Sequence, residues 1–207
     1  MDEASAIALS LKCPSCNTHL PVNEAGPSTA NSYLRTPSGV AILARYANEG
    51  GVQDDLDILP IITEEAYLES NPDTRPARAL QVMCSEGDVA GMVELLQDAG
   101  HQAGQVQSLL HYQDPLSAMK TALHIAVESR QDEPLWLLLW LFSTLPNVAF
   151  PQAARQAAES MGVGRLSVGP EADLRLLRDA HGRTAGDVAQ QLQGSWSALV
   201  EAGILSP

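Results

Sequence analysis

The sequence predicts an all-α fold in which helix–turn–helix units stack from about residue 76 to residue 207. Three observations indicate this fold. Apolar residues recur at i, i+3 and i+4, a spacing that places them on one face of a helix. Short turns rich in polar residues or glycine separate these stretches into pairs. Two of the helix openings also begin with a threonine that is followed by a small apolar residue.

Residues 1–75 are less regular, and we expect short helices and loops that cap the stack. Apolar residues at helical spacing predict one helix over 38–48. Thr63 is a suitable cap for a second helix over 64–69. A cap of this kind predicts that deleting residues 1–70 lowers the melting temperature by several degrees, whereas an independent appendage would leave it unchanged.

The first helix–turn–helix unit is expected between residues 79 and 96. Gly87 can supply the left-handed residue that ends the first helix, and Asp88 can cap the start of the second. Apolar residues line one face of each helix: Leu80, Met83 and Cys84 in the first, and Val89, Met92, Val93, Leu95 and Leu96 in the second.

The second unit opens at Thr121 and turns at 129–132. Pro134 can stand in the first turn of its second helix, which we expect to run to about Ser143. Because residues 135–142 are apolar on nearly all sides, that helix must be covered on most of its surface.

A third, shorter unit is expected from residue 179, with a helix after Thr184 and a partner helix near 196–200. Between the second and third units, residues 152–161 predict an additional alanine-rich helix. A loop over 162–170 and a helical turn over 174–178 follow it.

These units resemble ankyrin repeats. Thr121-Ala122-Leu123-His124-Ile125-Ala126 is similar to the Thr-Pro-Leu-His-x-Ala opening of that family, with Ala122 in place of proline. The turn from Asp179 to Ala185 and the stretch from Gly87 to Gly100 also resemble parts of the repeat. The resemblance covers residues 76–207 and implies a stacked scaffold that binds another protein.

The spacing departs from the family pattern. The intervals from Ala79 to Thr121 and from Thr121 to Thr184 both exceed the ankyrin repeat length of about 33 residues. We expect the extra residues to form insertions near 101–115 and 149–178, and such insertions often extend the binding face.

The charge balance excludes some classes of partner. Against 12 Lys and Arg residues there are 25 Asp and Glu residues, a formal net charge of −13. An acidic surface repels nucleic acid and anionic lipid and attracts basic protein. We therefore expect a protein partner with a basic surface, neither nucleic acid nor membrane.

Three cysteines and an acidic start without a signal-like segment predict a cytoplasmic or nuclear protein.

Seven residues are the candidate partner-binding positions. Five are acids expected near the surface formed by the turns and first helices, and two are tryptophans that share a helical face. Core packing is the competing explanation for the tryptophans. The candidates are Glu86, Asp114, Glu128, Asp132, Trp136, Trp140 and Asp179.

The spacing of Cys13 and Cys16 is that of a cysteine pair in zinc sites, and His19 is a candidate third ligand. A structural zinc ion takes four ligands, and no second cysteine pair exists in the sequence, so an ordinary turn is the simpler interpretation. Cys84 is expected to be a core residue. We therefore predict no bound metal and no cofactor.

The sequence favours a non-catalytic adaptor or assembly chaperone for a basic client. One alternative is an enzyme or ligand-binding protein, with a cavity between residues 1–75 and the repeats, lined by Trp136 or Trp140. A further alternative is a structural subunit of a permanent complex. No phosphate-binding loop, paired metal-binding helix or serine elbow is present, so no catalytic residue is predicted.

Overall fold

The computed structural model describes residues 23–24, 40–48, 51–100, 104–192 and 194–206. This part of the chain is mostly helical. It divides into two compact units, residues 1–75 and residues 76–207. Within the described ranges, every helix is too short or too polar to cross a lipid bilayer.

The amino-terminal unit contains two antiparallel strand pairs. The first joins β1 (Asn23–Glu24) to β2 (Val40–Ala41), and the second joins β3 (Leu43–Asn48) to β4 (Gly51–Asp57). The register shifts between Ala44 and Tyr46 on β3, where β4 carries an extra residue. Asp55 has a φ of +58° there, as expected for a bulge.

The helix predicted over 38–48 is therefore wrong where the structure describes it. Its apolar residues have helical spacing, but Val40, Ile42 and Tyr46 also favour strands. The decisive factor is β4, which supplies backbone hydrogen-bond partners for β3. The two strands are adjacent in sequence, with Asn48 opposite Gly51, and the neighbouring Gly50 and Gly51 were a hairpin signal that the helical interpretation overlooked.

The first helix, α1 (Leu59–Ser70), begins earlier than the predicted 64–69. Pro60 stands in its first turn, where a missing N–H is harmless. The buried carboxylate of Asp57 accepts hydrogen bonds from the backbone N–H of Leu59 and of Ile42, both at 3.1 Å. Asp57 thereby fixes the start of α1 to the strand segment.

The carboxyl-terminal unit is helical. Its helices are α2 (Arg75–Glu86, starting at the boundary), α3 (Val89–Ala99), α4 (Gln105–His111), α5 (Ala122–Glu128), α6 (Asp132–Phe142), α7 (Gln152–Ser160), α8 (Ala185–Leu192) and α9 (Ser195–Glu201). Short 3-10 turns occupy Pro115–Ser117, Asn147–Ala149, Pro170–Ala172 and Leu174–Leu176.

Most of the predicted helices of this unit are confirmed. Gly87 has a φ of +80°, and the Asp88 carboxylate accepts a hydrogen bond from the Gly91 N–H at 2.9 Å, as the turn between α2 and α3 requires.

Helix α4 was not predicted, because its three apolar residues were treated as part of an insertion. Of these, Leu110 is fully buried.

The core of the helical unit lies between the apolar faces of these helices. Helix α5 packs against α6 and α8, α8 packs against α9, and α6 also contacts α3 and α7. The apolar residues exposed by less than 2% form its centre: Leu80, Cys84, Met92, Leu110, Leu123, Ile125, Ala126, Val127, Leu135, Leu138, Leu139, Leu174, Ala185, Ala189 and Leu205.

Candidate functional site

Two loops that precede Thr-capped helices share an aspartate, a loop-closing backbone bond and a threonine cap, although the first loop is two residues longer. In the first capped loop, residues 114–121, the Asp114 N–H donates to the carbonyl of Lys120 at 3.0 Å, and the Asp114 side chain accepts from the Leu116 N–H. In the second capped loop, residues 179–184, the Asp179 N–H donates to the carbonyl of Arg183 at 2.8 Å. The Asp179 side chain likewise accepts from the N–H two residues later. Each backbone bond therefore joins the aspartate to the residue before the capping threonine.

The helices after the two loops start in the same way. The Thr121 Oγ1 accepts from the His124 N–H, and the Thr184 Oγ1 accepts from the Asp187 N–H. The residue at the third helical position binds back in each case: Nδ1 of His124 lies 2.8 Å from Thr121 Oγ1, and Oδ2 of Asp187 lies 3.0 Å from Thr184 Oγ1. Both arrangements satisfy backbone groups that a helix start leaves free.

His124 also connects the two loops. Its Nε2 lies 3.0 Å from the carbonyl oxygen of Arg183. Since a carbonyl can only accept, Nε2 carries the proton, and Nδ1 accepts from Thr121 in the neutral ring. Burial lowers the pKa of His124 below 6.5 and outweighs the opposing carbonyl contact and nearby carboxylates. The folded protein therefore favours the neutral imidazole of His124 over the protonated one.

The aspartates of the loops are buried and paired with arginine. Asp114 forms an ion pair with Arg78 of α2, and both side chains are buried. Asp179 accepts from Arg183 at 2.7 Å through Nη2 and at 2.9 Å through Nε. Burial opposes the ionisation of Asp179, but the hydrogen bonds from Arg183 and from the loop backbone prevail and lower its pKa.

A second buried network connects the insertion to the carboxyl-terminal residues. Arg175 donates to both carboxylate oxygens of Asp173, at 2.9 and 2.7 Å, and to the Ser206 carbonyl at 2.9 Å. Thr144 donates to Asp173 from its N–H and its hydroxyl. Although burial disfavours the charged carboxylate, these donors hold the pKa of Asp173 at about 2. This network holds Asp173 and Arg175 against Thr144 and the carboxyl-terminal residues.

Trp140 belongs to an aromatic cluster that orders the insertion. Its indole Nε1 donates to the carbonyl of Val163 at 3.0 Å, and its ring meets Phe150 edge to face with centroids 5.2 Å apart. The Arg165 guanidinium lies 5.4 Å from the Trp140 ring and 5.1 Å from the Phe150 ring. Trp140 is buried, so this cluster fixes the start and end of the segment that contains α7.

Trp136 lies one turn away from Trp140 and is only half-buried. It is the more exposed of two tryptophans that line a groove of about 610 Å³, which we call the Trp136 groove. The groove lies between the turn that starts α3, the first half of α6, and α7. Its lining residues are Gly87, Asp88, Val89, Ala90, Asp132, Glu133, Trp136, Leu137, Trp140, Pro151, Ala153, Ala154, Ala157, Ala158 and Met161.

The structure separates the seven predicted binding residues into two groups. Asp114, Asp179 and Trp140 are buried and occupied by internal contacts. Glu128 is half-buried and lies 2.6 Å from the Lys120 Nζ. Contacts within the fold account for these four side chains.

The other three remain accessible and lie close together. Asp132 and Trp136 line the Trp136 groove, and Glu86 is an exposed residue directly before Gly87 at its edge. Two further acids at the groove, Asp88 and Glu133, were not among the predicted binding residues. Glu133 could have been predicted as a binding residue, because it stands beside Asp132 at the polar start of α6.

The predicted metal candidates fall outside the structural description. Cys13, Cys16 and His19 belong to residues whose structure is not described. In the described ranges, no cluster of three His, Cys, Asp or Glu side chains is arranged to hold a metal ion. Cys84 is fully buried, and burial raises the pKa of its thiol, as expected for a core residue.

The buried arginines were also missed. Arg78 pairs with an aspartate 36 positions away, and Arg175 binds carbonyls near residue 205. No local pattern connects such residues, and an isolated arginine ordinarily indicates an exposed position.

Comparisons with models of protein families, with curated proteins and with solved structures found no match.

Proposed function

We propose that the chain is a non-catalytic protein-binding module, an ankyrin-type stack of helix pairs that binds a basic protein client as an adaptor or assembly chaperone. The observation that carries this proposal is the repeated geometry of the two capped loops. Each loop has an aspartate, a loop-closing backbone bond and a threonine cap in the same order, over residues 114–121 in one and residues 179–184 in the other. Equivalent local structure at two places in one chain is expected of a repeat protein.

The contacts between the loops support stacking of neighbouring units. The Ala180 N–H donates to the Ala118 carbonyl at 2.8 Å, so the second capped loop binds the first. A contact of a different kind joins the first and second units, where the Gln131 side chain, before α6, donates to the Ser85 carbonyl near the end of α2 at 3.0 Å. These contacts support a stack in which each helix pair binds its neighbour.

The use of the buried ionisable groups favours binding over catalysis. Asp114, Asp173, Asp179 and His124 all bind partners within the fold. Among the residues that line the Trp136 groove there is no Ser, Cys, His or Lys, so these residues do not form a nucleophile–base pair of the Ser–His or Cys–His kind. Its chemistry is an apolar surface with carboxylates.

The net charge of −13 favours a basic partner. The test is an affinity purification of the full chain at low and at high ionic strength, with the captured proteins identified by mass spectrometry. We expect basic proteins to be enriched at low ionic strength and largely lost at high ionic strength, because exposed charge pairs are screened by salt. Enrichment of only neutral or acidic proteins would contradict the proposal.

A permanent-complex subunit gives a different result in the same experiment. An obligate partner buries a larger and more apolar interface, so it stays bound at high ionic strength in constant stoichiometry. That outcome would replace the adaptor or chaperone proposal with a structural role.

A further inference from the structure

The Trp136 groove has an apolar floor held in place by its neighbours. Trp136 meets Phe150 edge to face, with ring centroids 6.0 Å apart, and Phe150 is buried against Trp140. Trp140 is in turn fixed by its hydrogen bond to Val163. The accessible indole of Trp136 therefore rests on an ordered cluster, and little order has to be gained when a ligand binds.

One wall of the groove is an apolar face of α7. Ala153, Ala154 and Ala157 line it, together with Met161 after the helix, and Ala153 and Ala157 are exposed. Small side chains allow a ligand to approach the helix closely. A volume of about 610 Å³ lies within the range of about 300–1,000 Å³ found for ligand pockets. The space suits a few side chains of a linear segment better than the flat face of a folded domain.

The ionisable residues that line the groove are all acidic. Asp88, Asp132 and Glu133 are exposed carboxylates among the lining residues, and this set contains no Lys or Arg. Glu86 adds a fourth exposed acid at the edge. The start of α6 accounts for part of this pattern, since acids stabilise helix starts, and one oxygen of Asp88 caps α3. The same carboxylates nevertheless present a negative rim around an indole.

We propose that the Trp136 groove binds a short amphipathic segment of a basic partner, with a large apolar side chain against Trp136 and Lys or Arg residues at the acidic rim. This inference rests on the proposed function and assigns it a site. A second copy of the chain is a poor occupant, because its own net charge of −13 would face the acids of the rim. An amphipathic helix laid in a groove is a common mode of peptide recognition.

The test measures binding of a synthetic amphipathic Leu/Lys helix to the full chain by fluorescence anisotropy. Asp132→Asn combined with Glu133→Gln removes two rim charges. Glu94→Gln combined with Asp98→Asn removes two exposed charges from α3 outside the groove and is the matched control. We expect the rim variant to weaken binding by about tenfold at low ionic strength and the control by less than about twofold. Equal weakening in the two variants would show a general charge effect and overturn the proposal.

A steric pair tests the site without changing charge. Ala157→Phe fills the groove, and Gln156→Phe adds the same side chain to an exposed neighbouring position of α7 that does not line it. Only the first variant should lower affinity, by about tenfold or more, while thermal melts show that both variants are folded. Full binding by a folded Ala157→Phe protein would exclude this site.

The outcomes separate this inference from the proposed function. If the wild type and Ala157→Phe capture basic proteins equally, the proposed function is supported, but its binding site lies outside the Trp136 groove and the inference is overturned. Failure of the wild type to capture basic proteins would remove the function itself. A dimer in sedimentation velocity that Ala157→Phe dissociates would identify a second copy as the occupant and overturn the inference.

Discussion

Thr121 has two functions at the start of α5, because its hydroxyl accepts from the His124 N–H and contacts Nδ1 of the same residue. Thr121→Ala should lower the free energy of unfolding by about 1 kcal/mol, the usual cost of losing a cap. Thr184→Ala should have a similar effect at α8, since Thr184 and Asp187 repeat the arrangement. Urea unfolding measures both changes.

Serine is the control for these caps, because it keeps the hydroxyl. Thr121→Ser should retain most of the stability. If Thr121→Ala is neutral and Thr184→Ala costs the expected amount, the two helix starts are not energetically equivalent, and the repeat interpretation loses its main support.

His124 makes the stability of the fold depend on pH. Its pKa is lowered in the folded state, so the unfolded chain binds a proton more readily. Stability is therefore fully present above the ordinary value of 6.5 and is lost as the pH falls below it towards the folded pKa. We expect the melting temperature to fall between about pH 7.5 and 5.5 and this fall to be smaller in His124→Gln.

His181→Gln provides the comparison, because it removes an exposed histidine from the neighbouring loop and keeps His124. The slope of melting temperature against pH is the relevant quantity, since His124→Gln also changes the absolute stability of the protein. An identical slope in wild type and His124→Gln would show that His124 is not the titrating group.

At the scale of the elements, two tryptophans of α6 have different tasks. Trp140→Phe loses the hydrogen bond to Val163 and part of the contact with Arg165, so it should destabilise the protein by about 1–2 kcal/mol. Trp136→Phe should cost less than about 1 kcal/mol because Trp136 is half-buried, yet it should weaken peptide binding several-fold. Denaturation and anisotropy on the same preparations separate the two effects.

A reversal of this pattern would contradict the assignment. If Trp140→Phe lowered peptide affinity at unchanged stability, Trp140 would be the contact residue and the cluster around Phe150 would not be a structural support.

How far the sequence predicted each element depends on the distance of its contacts. The helix starts at Thr121 and Asp88 depend on residues within three positions, and the sequence predicted both. The ion pair between Arg78 and Asp114 joins residues 36 positions apart and was missed. The strand pair β3–β4 was missed although its strands are adjacent in sequence, because the apolar residues of 40–48 fit helical spacing as well. Local patterns therefore identified most helices, but they failed for a distant partner and where one stretch fits both a helix and a strand.

The same distinction applies to the candidate site. Asp132 and Trp136 were predicted from composition and helical spacing, and they line one groove. Asp114 and Asp179 looked like equally good surface acids, but each is buried with an arginine. Sequence shows that a carboxylate is present, whereas its availability to a partner is decided by the surrounding fold.

At the scale of the whole molecule, the proposed role combines acidic charge with a helical scaffold. We expect the net charge of −13 to attract basic proteins over distances of about 10 Å at moderate ionic strength. In this proposal local apolar contacts then select among them, so binding at the Trp136 groove should require the indole and the rim acids together.

The most direct measurement is carboxylate footprinting of the full chain with and without a purified basic partner from the affinity experiment. Carbodiimide labelling reports on every exposed Asp and Glu at once. We expect the partner to protect Asp132 and Glu133, with Asp88 less protected because it caps α3, and to leave Glu94 and Asp98 unprotected. Uniform protection of all these acids, or none at the groove, would contradict the account.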